Sequence, residues 1–159
     1  MDVFSLDLAT LPVGPSEVVL EADPEQLGLE AGSWSGTVVG RLRVEKSGEQ
    51  VMVRGHLTAT AQAECVRCLG PAGLVIRAPF EVFAQRGGGR RQALDEALER
   101  DDYMLFHDGR KLDLREQARE ALLLEVPMTP RCRPDCRGLC PRCGADLNLG
   151  PCGCAPPAE

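Results

Sequence analysis

The 159-residue chain is 43% hydrophobic and carries 18 basic against 24 acidic side chains, a net charge of −6. Such a composition excludes a disordered chain, and no run approaches the roughly 20 apolar residues of a spanning helix. An N-terminus holding Asp2 and Asp7 and no basic cluster does not read as a secretory signal, so a soluble cytoplasmic protein, off the membrane, is expected.

Residues 1–30 contain Asp2, Asp7, Glu17, Glu21, Asp23, Glu25 and Glu30 and no Lys or Arg, which leaves the rest of the chain close to neutral. Bulk charge therefore does not make this a nucleic-acid coat. Phe4, Leu6 and Leu8 alternate with Ser5 and Asp7, which predicts one short strand, and Ser16 to Glu21 predicts another. From Trp34 to Cys65 the pattern is β. Val38, Gly40, Leu42 and Val44 share one face with Val51, Val53, Leu57, Ala59 and Ala61, and Arg41, Arg43, Arg54, His56 and Thr58 share the other. With Ser47-Gly48-Glu49 as its turn, this is a long antiparallel hairpin buried on one side. Its run of small Ala and Thr residues predicts an element packed close against it.

Leu74 to Phe83 is a third strand, which Pro79 is expected to interrupt or restart. Arg86 to Arg91 reads as a glycine-rich loop, Ala93 to Asp102 as a weak acidic helix, and Tyr103 to Phe106 as a short strand before an Asp108-Gly109 turn. The best helix spans Leu114 to about Glu125, with Asp113 at the N-cap, Glu116 at N3, and Pro127 and Pro130 as stops. Together these give an α+β fold: an antiparallel sheet that could close into a barrel-like form, one main helix, and a Cys-rich, zinc-ribbon-like C-terminal segment. The division expected is an α+β domain over 1–130, with its acidic N-terminal segment, and a metal-binding tail over 131–159 packed on it.

The tail holds six of the eight cysteines and no apolar periodicity, so it needs a source of stability other than a core. Cys140-Pro-Arg-Cys143-Gly has the form of a zinc knuckle, and Cys152-x-Cys154 offers a second pair of thiolates for one tetrahedral ion. Cys65-x2-Cys68 at the end of the long hairpin would then join Cys132 and Cys136 in a second site. The alternative partition places Cys132, Cys136, Cys140 and Cys143 in one site and leaves Cys65 and Cys68 for Cys152 and Cys154; spacing alone does not decide between them, and we favour the first. In either case two structural zinc ions are expected. Four thiolates leave no open position for a reacting water, and the sequence has no triad, zincin, P-loop or dinucleotide motif. No catalytic residue is nominated, and His56 and His107 read as ordinary strand residues.

At Cys65-Val-Arg-Cys-Leu69, and again from Cys136 through Cys140-Pro-Arg-Cys-Gly-Ala-Asp-Leu-Asn148, the chain resembles the bacterial YceD family. Asp113-Leu-Arg-Glu116, Glu120 to Pro127 and the Pro130-x-Cys132 junction look like that family's helix and its exit. The resemblance implies a non-enzymatic factor in the accumulation or maturation of large-subunit ribosomal RNA, with that RNA or a large-subunit ribosomal protein as partner. Beside it, Arg67, Arg131, Arg133, Arg137 and Arg142 flank or sit within the cysteine pairs. They would either neutralise the negative charge of a four-thiolate zinc site or contact RNA phosphates. Two other readings stand next to this one: a protein-interaction module without RNA contact, working through the acidic first 30 residues, and a redox-sensitive zinc chaperone.

Overall fold

The computed structural model describes residues 3–87 and 104–154. In chain order these form β1 (Ser5–Asp7), β2 (Gly14–Ala22), a 3-10 turn (Pro24–Leu27), β3 (Trp34–Ser47), β4 (Gln50–Glu64), β5 (Pro71–Arg86), β6 (Met104–His107), β7 (Lys111–Asp113) and helix α1 (Arg115–Glu125). The expected acidic helix at Ala93–Asp102, together with Arg90, Arg91 and Tyr103, lies outside the described residues.

Strands β2 to β5 form an antiparallel meander in the order β2-β3-β4-β5-β6, while β1 and β7 pair separately. Barrel-like closure does not occur among the described residues, whose sheet has β2 and β6 as its two edges. Strand β6 is four residues long and pairs only with Phe83–Arg86 at the end of β5, and β1 is taken up by β7, so the two edges of the sheet never meet. Nor is the sheet wholly antiparallel, since β6 runs parallel to β5. Strand β5 also continues straight through Pro79, which faces His56 across the ladder. At that point β5 has β4 on one side and no ladder partner on the other among the described residues, an edge position where a missing N–H is tolerated.

The inner face carries Val38, Leu42, Val44, Val51, Val53, Leu57, Ile76, Phe80 and Val82, all buried. Two things cover it. Helix α1 lies on β5 and β4, its Ala118 and Leu122 sharing one core with the buried Ala59, Ala61 and Ala78, which is the close packing that the small residues predict. The β1–β7 ladder adds Phe4, Leu6, Leu8, Leu112 and Leu114, and Lys46 Nζ clamps the chain after β1 by donating to the Leu8 carbonyl at 2.7 Å. The helix begins one residue later than the sequence suggests, with Leu114 at the N-cap. Asp113 is drawn outward instead: its carboxylate accepts the Arg115 backbone N–H at 3.0 Å and pairs with the Arg115 guanidinium, which holds its pKa below the usual carboxylate range.

Gly55 marks the tightest approach of β3 and β4. A Cβ there would lie 2.0 Å from the Arg41 carbonyl oxygen, a backbone atom that cannot swing aside. Gly55→Ala is therefore expected to lower unfolding stability by about 1–3 kcal/mol in urea titrations, the cost of forcing one methyl into packed structure. A wild-type midpoint would contradict this packing.

Candidate metal centres

The hairpin from β4 to β5 turns at residues 65–70. The Cys65 N–H donates to the Gly70 carbonyl at 2.8 Å, the Leu69 N–H donates back to the Cys65 carbonyl at 2.9 Å, and Leu69 takes a left-handed φ of 60°. Residues 140–145 repeat this turn. The Cys140 N–H donates to the Ala145 carbonyl at 2.8 Å, the Gly144 N–H to the Cys140 carbonyl at 2.9 Å, and Gly144 has φ 74°. Both segments read Cys-x-Arg-Cys, so the chain holds the same knuckle twice, once on the sheet and once in the tail.

The tail is laid along the first knuckle by three hydrogen bonds. The Val66 N–H donates to the Pro130 carbonyl at 2.9 Å, the Leu139 N–H to the Arg67 carbonyl at 3.2 Å, and the Arg67 guanidinium to the Cys136 carbonyl at 3.0 Å. Gly138 permits the approach. Its φ is 76°, and a side chain there would meet the Arg67 carbonyl oxygen at 3.1 Å.

This docking brings Cys65, Cys68, Cys132 and Cys136 together, and Cys140, Cys143, Cys152 and Cys154 form a second group. Within each group all four sulfurs lie within 4.8 Å of one another. Of the two partitions left open by spacing, the structure adopts the one joining the hairpin to the start of the tail. The Cys65–Cys136 and Cys68–Cys132 sulfurs are each 3.7 Å apart. That is far beyond a disulfide bond, and it matches the roughly 3.8 Å edge of a tetrahedron whose centre is about 2.3 Å from each thiolate. Cys65 and Cys136 are fully buried and, with Ala72, make a small core of their own. The second group is more open, and Cys143 is exposed.

The electrostatics of the two groups follow the repeated turn. Cys65 is lowered to about 6, chiefly by the Cys68 backbone N–H, and Cys140 is lowered to about 6, chiefly by that of Cys143. Cys136 is lowered by the Asn148 side chain. In the opposite direction, burial first and then its cysteine neighbours push Cys132 up to about 12, and the adjacent Cys143 and Cys140 side chains push Cys154 up to about 12. Each group thus contains a sulfur prepared to be a thiolate and another opposed by crowded like charge. A divalent soft cation at the centre compensates that crowding, so the donor set and its spacing fit zinc.

Sequence reasoning did not assign a role to Asn148. Its Nδ2–H donates to Cys136 Sγ at 3.4 Å, its Oδ1 accepts the Arg137 N–H at 2.9 Å, and Asp146 holds it in turn. Only its place inside the quoted Cys136–Asn148 motif could have pointed to it. Such supporting bonds orient ligands. Asn148→Ala is expected to speed zinc loss from the first group about tenfold in a chelator-competition assay, leaving the second group unaffected. Equal loss from both would contradict this role.

The arginines lie around the cysteines, all exposed. Arg67 is committed to the Cys136 carbonyl, and Arg133 sits 3.7 Å from Asp135. Arg131, Arg137 and Arg142 flank the same turns. His107 is a satisfied structural residue: it accepts the Gly109 N–H at Nδ1 and its Nε2 bonds the Glu49 carbonyl at 3.1 Å. His56 is exposed on the outer face of β4.

Comparison with known proteins bears on this arrangement. An uncharacterized protein of Mycobacterium tuberculosis is 42% identical over 111 residues, covering 69% of this chain and 51% of its own length. One of Mycobacterium leprae is 35% identical over 129 residues, 79% of this chain and 57% of its own. A maize protein named large ribosomal RNA subunit accumulation protein YCED homolog 1, chloroplastic, is 28% identical over 141 residues, 74% and 45%. The chain spans about half the length of the curated relatives it matches. No solved structure matches it significantly. The sequence profile of the YceD family, described as large ribosomal RNA subunit accumulation protein YceD, matches residues 53–158, from near the start of β4 through both cysteine groups. On that match the chain belongs to the YceD family.

Proposed function

We propose that this chain is a non-enzymatic cytoplasmic factor that supports the accumulation and maturation of large-subunit ribosomal RNA, and that it binds that RNA or a large-subunit ribosomal protein through a scaffold clasped by two structural zinc ions. The family description and the printed name of the maize relative support the ribosomal role. The observation that carries the scaffold is the pair of four-sulfur groups, because four thiolates close a zinc site and leave it no position for a reacting water. Cys65, Cys68, Cys132 and Cys136 would hold one ion, and Cys140, Cys143, Cys152 and Cys154 the other. Zinc, when bound, supplies a crosslink between the hairpin tip and a tail that has no apolar core of its own. A zinc held by four thiolates is an anionic centre, and Arg67, Arg131, Arg133, Arg137 and Arg142 surround it with positive charge.

The test is depletion of the protein in its own cell, followed by the ratio of large- to small-subunit ribosomal RNA. The ratio is expected to fall and to recover with the wild-type gene. An unchanged ratio overturns the proposal.

A further inference from the structure

The outer face of the sheet is where the two halves of the sequence pattern leave something unexplained. The inner residues of β3, β4 and β5 build the core, and the alternate positions all point to solvent. The ladder sets Arg43 directly opposite Arg54, Arg41 opposite His56, and Arg77 opposite Thr58. Residues two apart on a strand are about 6.6 Å apart and neighbouring strands about 4.8 Å, so these four guanidinium-bearing positions share one small patch. Like charges facing each other across a ladder oppose the fold. Only one of the four is offset: Arg54 pairs with Glu81 at 3.0 Å, while Arg41, Arg43 and Arg77 make no ion pair among the described residues. Glu17, opposite Arg43 on β2, is not within ion-pair distance, and with Glu21, Glu45 and Glu81 it frames the strip without filling it. The face balances four Arg against four Glu, yet the arginines sit together at its centre and three of them have no ion pair among the described residues.

We propose that this outer face of β3–β5 binds the phosphate backbone of double-helical RNA through Arg41, Arg43, Arg54 and Arg77; the inference rests on the ribosomal reading above and names the surface it would use. Arginine forks match phosphate oxygens, and Thr58 and Thr60 add hydroxyls on the same face. The face carries no Trp or Tyr among the described residues, and its one aromatic, Phe83, lies beyond Glu81 on β5. Without Trp or Tyr it offers no stacking platform for splayed single-stranded bases, and its exposed apolar residues, Val19, Val75 and Phe83, are scattered around the arginines instead of gathered into one protein-binding anchor. Repeated phosphates on a rigid duplex remain the complementary ligand.

The experiment measures anisotropy of a fluorescein-labelled 20-base-pair RNA duplex of mixed sequence against the full chain from 50 to 300 mM salt. Binding is expected with a log–log salt slope of about −3 to −4, for three or four phosphate contacts. Arg41→Ala/Arg43→Ala/Arg77→Ala should weaken it at least tenfold and flatten the slope by about 1 per arginine. Glu81→Gln, which releases Arg54, should tighten binding, a gain that misfolding cannot produce. Arg119→Ala, on the helix at the opposite face of the sheet, should stay within twofold of wild type. Wild-type affinity in the triple variant, or preference of the face for a poly-glutamate peptide over the duplex, overturns the inference. If depletion lowers large-subunit RNA yet the triple variant binds as wild type, only this surface is wrong. If depletion leaves that RNA unchanged, the ribosomal role itself fails whatever the duplex shows.

Discussion

Cys136→Ser should convert a protein carrying two zinc ions into one carrying a single ion, with the tail detached from the sheet. Cys136 is almost completely buried, lies 3.7 Å from Cys65, and is the residue whose carbonyl and sulfur anchor Arg67 and Asn148. The substitution removes one of four thiolates and leaves Cys65, Cys68 and Cys132 crowded in a buried space. Structural zinc contributes on the order of 10 kcal/mol to the folding of small domains that depend on it. Even a fraction of that exceeds what the few hydrogen bonds between residues 130–139 and the hairpin tip can supply at about 1 kcal/mol each. Limited trypsin digestion should then cut first at Arg131 or Arg137, and the melting temperature should fall by 10 °C or more. Retention of both ions and of protease resistance would show that the first group is not what holds the tail.

The second expected result separates the two centres. Cys143 is exposed where its counterpart in the first knuckle, Cys68, is half-buried, and none of its group's cysteines lies in or next to a strand of the described residues. A thiol-reactive mercurial added stepwise, with a zinc indicator in solution, should release zinc in two phases, the first from Cys140, Cys143, Cys152 and Cys154. Cys143→Ser should abolish the fast phase and leave the slow one. Its effect on melting should stay within a few degrees, because the α+β unit keeps its core and its own clasp. A single phase, or loss of the slow phase in Cys143→Ser, would mean that the sites are coupled or differently grouped.

How much of this was legible in the sequence depends on the kind of signal each part left. The hairpin of β3 and β4 follows from its alternating pattern, broken in the ladder only by the shift between Ser35 and Val39, and the Ala run forecast a close-packed element without saying that it would be the helix. Pro79 misled because a proline ends a strand only where its N–H is needed, and whether β5 has a partner there is decided by the length of β6, far along the chain. The parallel direction of β6 and the open edges are likewise matters of which distant segments meet, and β1 pairing with β7 leaves no local mark. For the helix start, Asp113 was read as the cap because composition cannot show that Arg115 competes for its carboxylate. The cysteines divide differently. That there are four pairs was plain from spacing. Which pairs meet depended on the docking of residues 130–139 along the hairpin turn, carried by two backbone hydrogen bonds and one from Arg67, whose partners lie some seventy residues away along the chain. The repeat of the Cys-x-Arg-Cys turn was present in the letters and acquires meaning only through its shared hydrogen bonds and left-handed fifth residue. Asn148 was invisible for the same reason, since its partners are a sulfur and a backbone N–H brought to it by the fold.

The most direct measurement is metal content by mass spectrometry of natively purified protein, paired with a count of thiols that react with iodoacetamide before and after denaturation in chelator. Two zinc ions per chain, with nearly all eight cysteines protected until chelation and then all reactive, is the expected result. A well-folded, metal-free chain with eight thiols open to alkylation would contradict it.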